Sequence, residues 1–362
     1  MQYSPLHSLN EGSWFKLICG ASYQHLPAVR SLTIAYSLAG ADCIDVAADP
    51  AVIAAAREGI EIAQKLSGKT DPDTLPWLMV SINDGEDPHF RKAKFDVTQC
   101  PSDCPQPCVR VCPAEAIDLT RGGVLDRICY GCGRCVPICP QELITTRYYI
   151  SSWERIVPWI ESMAVDAVEI HTQVGHYNDF KRVWQKISPV IGRLKLIAIS
   201  CTDAPDVIEY LRSLYKAIAP LPCPLIWQTD GRSMSGDIGK GTTHGTIAFA
   251  RKVLQAQLPG YIQLAGGTND YTVDKLKQAK IVGRDNSLSG SRISGLAYGS
   301  YGRAILSSTL AKLETTELQS SRFLSEHGSM KQLTKLEQNQ ELLEQAVGIA
   351  RKLVSQIKTA GN

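Results

Sequence analysis

Trp77-Leu-Met-Val-Ser-Ile-Asn83 is a run of large apolar and β-branched side chains, with Pro76 before it and Asp84-Gly85 after it. Near-continuous hydrophobicity of this kind predicts a strand buried on both faces, as in a parallel sheet covered by helices. Seven similar runs occupy residues 15–21, 43–48, 165–172, 194–201, 224–230, 261–267 and 293–299. Segments of helical periodicity fall between them, at 27–38, 51–66, 177–187, 207–218, 243–256 and 272–279. Eight strand–helix units over about 300 residues predict a TIM-type (β/α)8 barrel, whose usual size is about 250 residues before insertions. An open doubly wound sheet is the alternative.

The 77–83 run leads into cysteines instead of a helix. Residues 100–140 hold eight of the twelve cysteines, in two runs that each end in Cys-Pro. The second run, Cys129-Tyr-Gly-Cys132-Gly-Arg-Cys135-Val-Pro-Ile-Cys139-Pro140, has the C-x2-C-x2-C-x3-C-P spacing of bacterial ferredoxins. The first run is Cys100-Pro-Ser-Asp-Cys104-Pro-Gln-Pro-Cys108-Val-Arg-Val-Cys112-Pro113, a stretched relative with three residues in every gap. Thiolates at these spacings can close around a cubane of iron and sulfide. In two-cluster ferredoxins the cysteine before the proline ligates the other run's cluster. The crossover predicts that Cys112, Cys129, Cys132 and Cys135 hold one 4Fe–4S cluster. Cys100, Cys104, Cys108 and Cys139 then hold the second, which the wide gaps allow to be incomplete or labile. Gly131 and Gly133 let backbone N–H groups approach the sulfurs. Zinc, the rival ion for four cysteines, is usually held by two separated C-x2-C knuckles. A radical S-adenosylmethionine site needs C-x3-C-x2-C near the first strand, which this chain lacks.

The cysteine segment is therefore a ferredoxin-like insertion at the C-terminal end of the third strand, where it roofs the face that carries barrel active sites. The expected organisation is barrel at 1–83, iron–sulfur insertion at 84–149, barrel again at 150–316, then a linker and a C-terminal amphipathic helix at 317–362. In that last part Leu333, Leu336, Gln340, Leu343, Val347, Ala350, Val354 and Ile357 follow a 3-4-3-4 spacing. The stripe suits a helix packed against the barrel, or a dimerising or partner-binding helix.

Hydrophobic residues make up 44% of the 362 residues and charged residues 20%, which suits a soluble globular chain. A net charge of +2 makes no electrostatic case for nucleic acid. No apolar stretch reaches the length of a membrane span. Crowded cysteines and an N-terminus without a signal-peptide pattern point to a reducing cytoplasm.

Glycine-rich turns come after the last two strands: Ala265-Gly-Gly-Thr-Asn269 and Tyr298-Gly-Ser-Tyr-Gly-Arg303. Barrels bind phosphate at these loops, and the second resembles the closing turn of FMN-binding barrels. Gly266, Gly267, Gly299 and Arg303 are thus candidates to hold FMN or another phosphorylated ligand; tight strand-to-helix turns are the plainer account. The loop 229–244 offers Arg232, Asp237, Lys240 and His244 as contacts to an anion. His171 and Asp49 sit at strand ends where catalytic groups sit. Cys19, Cys43, Cys201 and Cys223 read as buried small hydrophobes, with Cys201 alone worth a reactivity test. No catalytic residue can be named from spacing.

The order of barrel strand, C-x3-C-x3-C-x3-C-P, C-x2-C-x2-C-x3-C-P, the loop 229–244 and Gln263-Leu-Ala-Gly-Gly-Thr-Asn269 resembles the light-dependent period protein (LdpA) family of cyanobacteria. Trp14-Phe-Lys-Leu-Ile-Cys-Gly-Ala-Ser22 belongs to the likeness, which runs to about Leu313. The resemblance implies a cytoplasmic iron–sulfur redox sensor. It would report the light-dependent redox state of photosynthetic electron transport, through a quinone link, to the circadian clock. The partners implied are KaiA, CikA and SasA, and the family's cluster ligands fall on the eight cysteines above. The rival expectation is an iron–sulfur, flavin-dependent oxidoreductase.

Overall fold

The computed structural model describes residues 4–112, 114–148, 153–162, 165–231, 239, 241–282, 292–325 and 335–360. Strands β1 (Trp14–Gly20), β2 (Cys43–Ala47) and β3 (Trp77–Asn83) open the barrel. Strands β4 (Arg91–Lys94), β5 (Ile117–Asp118), β6 (Gly123–Val124) and β7 (Thr145–Tyr148) belong to the insertion. The barrel resumes with β8 (Ala167–Thr172), β9 (Leu196–Thr202), β10 (Leu225–Asp230), β11 (Tyr261–Ala265) and β12 (Gly295–Tyr298). All neighbouring barrel strands are parallel, in the closed order β1-β12-β11-β10-β9-β8-β3-β2. Closure comes from β1 beside β12, with Trp14 opposite Gly295. A Cβ at position 295 would lie 2.3 Å from the Trp14 carbonyl oxygen, so glycine is what admits the last strand. The open-sheet alternative is excluded.

The helices in chain order are α1 (Pro5–Asn10), α2 (Leu26–Ala39), α3 (Pro50–Ser67), α4 (Pro107–Val111), α5 (Trp153–Glu161), α6 (Tyr177–Ile187), α7 (Val207–Ile218), α8 (Thr243–Gln255), α9 (Thr272–Gln278), α10 (Ser300–Ser325) and α11 (Gln340–Lys358). Their ends obey local chemistry. At α3, Asp49 caps the N-terminus by accepting from Ala51 N and Val52 N, Pro50 opens the first turn, and Gly68 ends the helix at φ +65°. Asp49 is thus a capping residue.

The large core lies between strands and helices, and a second cluster plugs the barrel bottom with Leu9, Trp14, Cys43, Trp77, Met79, Ala167, Leu196, Ala198 and Ile226. The insertion is tied at its root by the antiparallel pair β4–β7. It has its own small core of Ala93, Cys108, Ala116, Ile117, Cys129, Cys135 and Ile144.

At the C-terminus, α11 lies against α2, α10 and β1, burying Leu342, Ala346, Ala350, Leu353 and Ile357 along one stripe. Lys358 Nζ donates to Asp42 at 2.5 and 2.7 Å, and the same carboxylate accepts from Phe15 N. Leu333 lies outside the described residues. The linker is expected from residue 317, but α10 runs on to Ser325, and residues 326–334 lie outside the described residues. Glu317, Gln319 and Arg322 are polar, but glutamate, glutamine and arginine are all compatible with helix.

Candidate iron–sulfur centre and the barrel mouth

The fold sorts the eight insertion cysteines into two groups. Cys112, Cys129, Cys132 and Cys135 line one small cavity, together with Tyr130, Gly131, Gly133 and Ala116. Burial pushes the Cys135 thiol up to about 12, helped by Cys132, Cys129 and Cys112. Burial raises Cys132 as well, with Cys112 and Cys129 adding to it. The other group is Cys100, whose thiol is raised by desolvation and by Cys104, Cys108 and Cys139 around it. Each group takes three cysteines from one run and the pre-proline cysteine from the other.

Two features of the first group suit thiolate ligands. Ala116 N donates to Cys112 Sγ at 3.3 Å, the kind of hydrogen bond that stabilises a sulfur carrying negative charge. Gly131 and Gly133 both have positive φ, +76° and +73°. A Cβ on Gly131 would meet the Arg91 carbonyl oxygen at 2.3 Å, so the loop turns tightly against the insertion's root. Mutual proximity of four thiols is costly for four thiolates alone and favourable once a cationic iron–sulfide core sits between them. The donor set fits such a cluster.

The insertion docks on the barrel mouth. Gln24 N donates to Arg127 O at 3.0 Å, and Lys92 Nζ reaches Gln24 Oε1 at 2.9 Å and Asp126 O at 2.6 Å. Arg303 stacks its guanidinium 4.3 Å from the centre of the Tyr130 ring, beside the Cys129 ligand position. Its Nη1 donates to Ile18 O at 2.8 Å and its Nη2 to Ser300 Oγ at 3.1 Å, while its Nε is buried with no hydrogen-bond partner among the described residues.

The other phosphate-loop candidates lie nearby. Gly266 and Gly267 take φ +63° and +89° at the end of β11. Their carbonyls accept from Thr246 and from Thr242 and Thr243, all near the start of α8. Gly299 O accepts from Arg303 N at 3.1 Å in the first turn of α10. Arg232, Asp237 and Lys240 lie outside the described residues, and His244 is exposed at the start of α8. Cys201 is buried and its thiol is pushed up to about 12 by desolvation, which makes it unreactive.

Sequence reasoning missed the barrel interior. Lys16, Asp45, Ser81, Glu169, Ser200, Gln228 and Gln263, one from each of seven strands, are all buried. Lys16 Nζ donates to Glu169, which also accepts from Gln228 Nε2 at 2.7 Å. Gln263 bridges Gln228, at 2.6 Å, and Trp14 Nε1, at 2.6 Å. Burial alone would protonate Glu169; Lys16 and His171 outweigh it and hold the carboxylate charged. Asp45, opposed by Glu169, is raised by burial to about 6. Above this layer His171 Nε2 sits 3.0 Å from Glu169 Oε1. Burial lowers the imidazole, but Glu169, Asp87 and Asp230 raise it to about 9. The signal was present in the strands, where a polar residue stands at an alternate position inside each apolar run.

A closed parallel barrel whose roof is a cysteine-rich, iron–sulfur-binding insertion defines the class of this protein. The LdpA Fe-S cluster-binding domain model matches residues 100–150, and the light dependent period A C-terminal domain model matches residues 159–356. The chain is 46% identical over 356 residues to light dependent period A of Synechococcus elongatus, covering 98% of this chain and 94% of that one. It belongs to the light dependent period A family. Among solved structures, similar chains include N-acetylneuraminate lyase from Fusobacterium nucleatum (10% identical, TM-score 0.35, covering 95% of this chain and 99% of that one). Another is 4-hydroxy-tetrahydrodipicolinate synthase from Methylacidiphilum fumariolicum SolV (11% identical, TM-score 0.35, covering 97% and 99%).

Proposed function

We propose that this protein is an iron–sulfur redox sensor and electron-transfer protein holding two 4Fe–4S clusters. One is ligated by Cys112, Cys129, Cys132 and Cys135, the other by Cys100, Cys104, Cys108 and Cys139. The observation that carries this reading is the sorting of eight cysteines into two quartets in the crossed pattern of two-cluster ferredoxins. Membership of the family supports the wider role: reporting light-dependent redox state to the circadian clock, with KaiA, CikA and SasA as partners and a quinone as input. A cytoplasmic location accords with so many free thiols. No helix among the described residues is long and apolar enough to cross a membrane.

The test is iron, sulfide and flavin measured on anaerobically purified protein. The expected content is about eight irons and eight sulfides per chain with no flavin, falling to about half in Cys132→Ser. Zinc without iron overturns the reading. Stoichiometric flavin would put forward the oxidoreductase alternative, with FMN phosphate near Gly266, Gly267, Gly299 and Arg303; the Arg303 Nε, which has no hydrogen-bond partner among the described residues, is the observation in its favour.

A further inference from the structure

We propose that Asp87, His89 and His171 form a second, non-sulfur metal site at the barrel mouth, for a first-row divalent transition ion such as Mn2+ or Zn2+. One carboxylate oxygen and one ring nitrogen from each histidine all lie within 4.8 Å of one another. His89 Nδ1 is 2.9 Å from Asp87 Oδ1, and His171 Nδ1 is 3.9 Å from Asp87 Oδ2. An ion at about 2.1 Å from each of its ligands sets ligand-to-ligand edges of about 3.0–3.4 Å. Both contacts lie near that range but fall on different oxygens of Asp87, so seating the ion takes a side-chain rotation that brings one Asp87 oxygen and both ring nitrogens to it.

The surroundings are those of a built site. His171 projects from β8 at the C-terminal end of the barrel, where barrel enzymes place their working groups. Its Nε2 is engaged by Glu169 at 3.0 Å, which leaves Nδ1 turned toward Asp87 and His89. Glu169 is fully buried and is itself fixed by Lys16 and Gln228. This carboxylate–histidine arrangement is the usual support behind a metal-bound imidazole. The rings of Phe90 and His89 flank His171, with centroids 5.1 and 5.3 Å away. Two imidazoles and a carboxylate suit Mn, Fe or Zn rather than a thiolate-seeking ion. Asp230, buried and bonded to Ser200, adds negative charge that acts on both imidazoles.

The location gives the ion a consequence. Asp87 and His89 lie in the stretch that leads from β3 into the cysteine cassette, and His171 lies in the barrel wall. A bound ion therefore clamps the root of the iron–sulfur insertion to the barrel.

The experiment uses the full chain, purified anaerobically with its clusters intact, dialysed first against Mn2+ and separately against Zn2+. Each ion is counted per chain alongside iron and sulfide. The expected result is one added ion per chain for at least one of the two metals. His89→Ala and the isosteric Asp87→Asn should each weaken binding more than about tenfold, with iron and sulfide unchanged. Cys132→Ser should leave this binding in place, which separates the site from the thiols. Absence of an added ion with both metals overturns the proposal, as does binding that both substitutions leave intact. Either result would make Asp87, His89 and His171 a set of partly buried ion pairs only.

Discussion

Lys16 shows how much the barrel interior depends on single residues. Its ammonium is buried with Glu169 and Asp45 around it, 3.7 Å from Asp45 Oδ2, and no solvent can replace it. Removing one partner of such a pair leaves the other charge buried and uncompensated. Lys16→Met should therefore destabilise the protein by about 3–5 kcal/mol, read by denaturant unfolding of the barrel; a change near zero would mean the charges are solvated. Gly131 is as exacting for a steric reason. Gly131→Ala forces a Cβ into the Arg91 carbonyl at a φ that L side chains rarely adopt, a strain of about 1–3 kcal/mol. The variant should retain a folded barrel and lose about half its iron, since only one cluster loop is disturbed. Full iron content would show that the loop has room to move. The residues the sequence made plain are those whose chemistry is local: eight cysteines at ligand spacing need no fold to be recognised. Asp87, His89 and His171 are different, because a histidine from the barrel wall meets the insertion's root only once the barrel closes.

Elements were legible where burial is uniform. The 77–83 strand and the helices at 177–187 and 207–218 have the bounds their hydrophobic patterns predict. The short α1, with too few residues to show a period, and α5, whose internal Pro158 argues against a helix in sequence, went unread. The C-terminal stripe was legible, but its partner was a choice between surfaces that only tertiary contact decides. A charged clasp holds the approach to that helix. Arg30 donates to Glu337 Oε1 at 2.5 Å and to Oε2 at 2.9 Å, its Nε lies 3.0 Å from Glu58, and Lys335 adds 3.2 Å to Glu58. Burial raises the Glu337 carboxyl, but the hydrogen bond and charge of Arg30 outweigh it and leave the group below its ordinary value of 4.5. A depressed carboxylate stabilises above its unfolded pKa and loses that contribution as pH falls through the folded one. Exchange protection of the α11 amides should thus drop as pH is lowered from about 4.5. Glu337→Gln should show the weaker protection at neutral pH and little further loss in acid. Asp42 works in the opposite sense, since burial raises its carboxyl despite Lys358, so the difference between wild type and variant isolates the Arg30 clasp. Equal acid sensitivity in both proteins would rule out this assignment.

At the scale of the whole molecule, two bodies with separate cores meet at the barrel mouth. Arg303 touches the cluster loop through Tyr130, the first strand through Ile18 O and its own helix through Ser300. The sequence singled out Arg303 for phosphate; its position in the fold gives it this bridging geometry, which depends on β12 lying beside β1 and on the insertion folding back. In the redox-sensor reading proposed above, a change of cluster charge on electron transfer acts on a guanidinium and ring in a partly buried contact, where electrostatic effects are stronger than in bulk water. Such a contact is one physical route from the cysteines to the barrel. Arg303→Ala should leave all eight cysteines, the iron and the sulfide as in the wild type. Loss of the stacked cation costs about 0.5–2 kcal/mol of docking, so the insertion should gain hydrogen exchange at residues 127–135. The decisive comparison is between oxidised and dithionite-reduced protein. In the wild type, reduction should alter exchange in β1 and in the first turn of α10; in Arg303→Ala that redox-dependent difference should vanish while the clusters still reduce. If the difference persists without Arg303, the signal passes from insertion to barrel by the β4–β7 root instead, and the sensing path must be sought through Asp87 and His89.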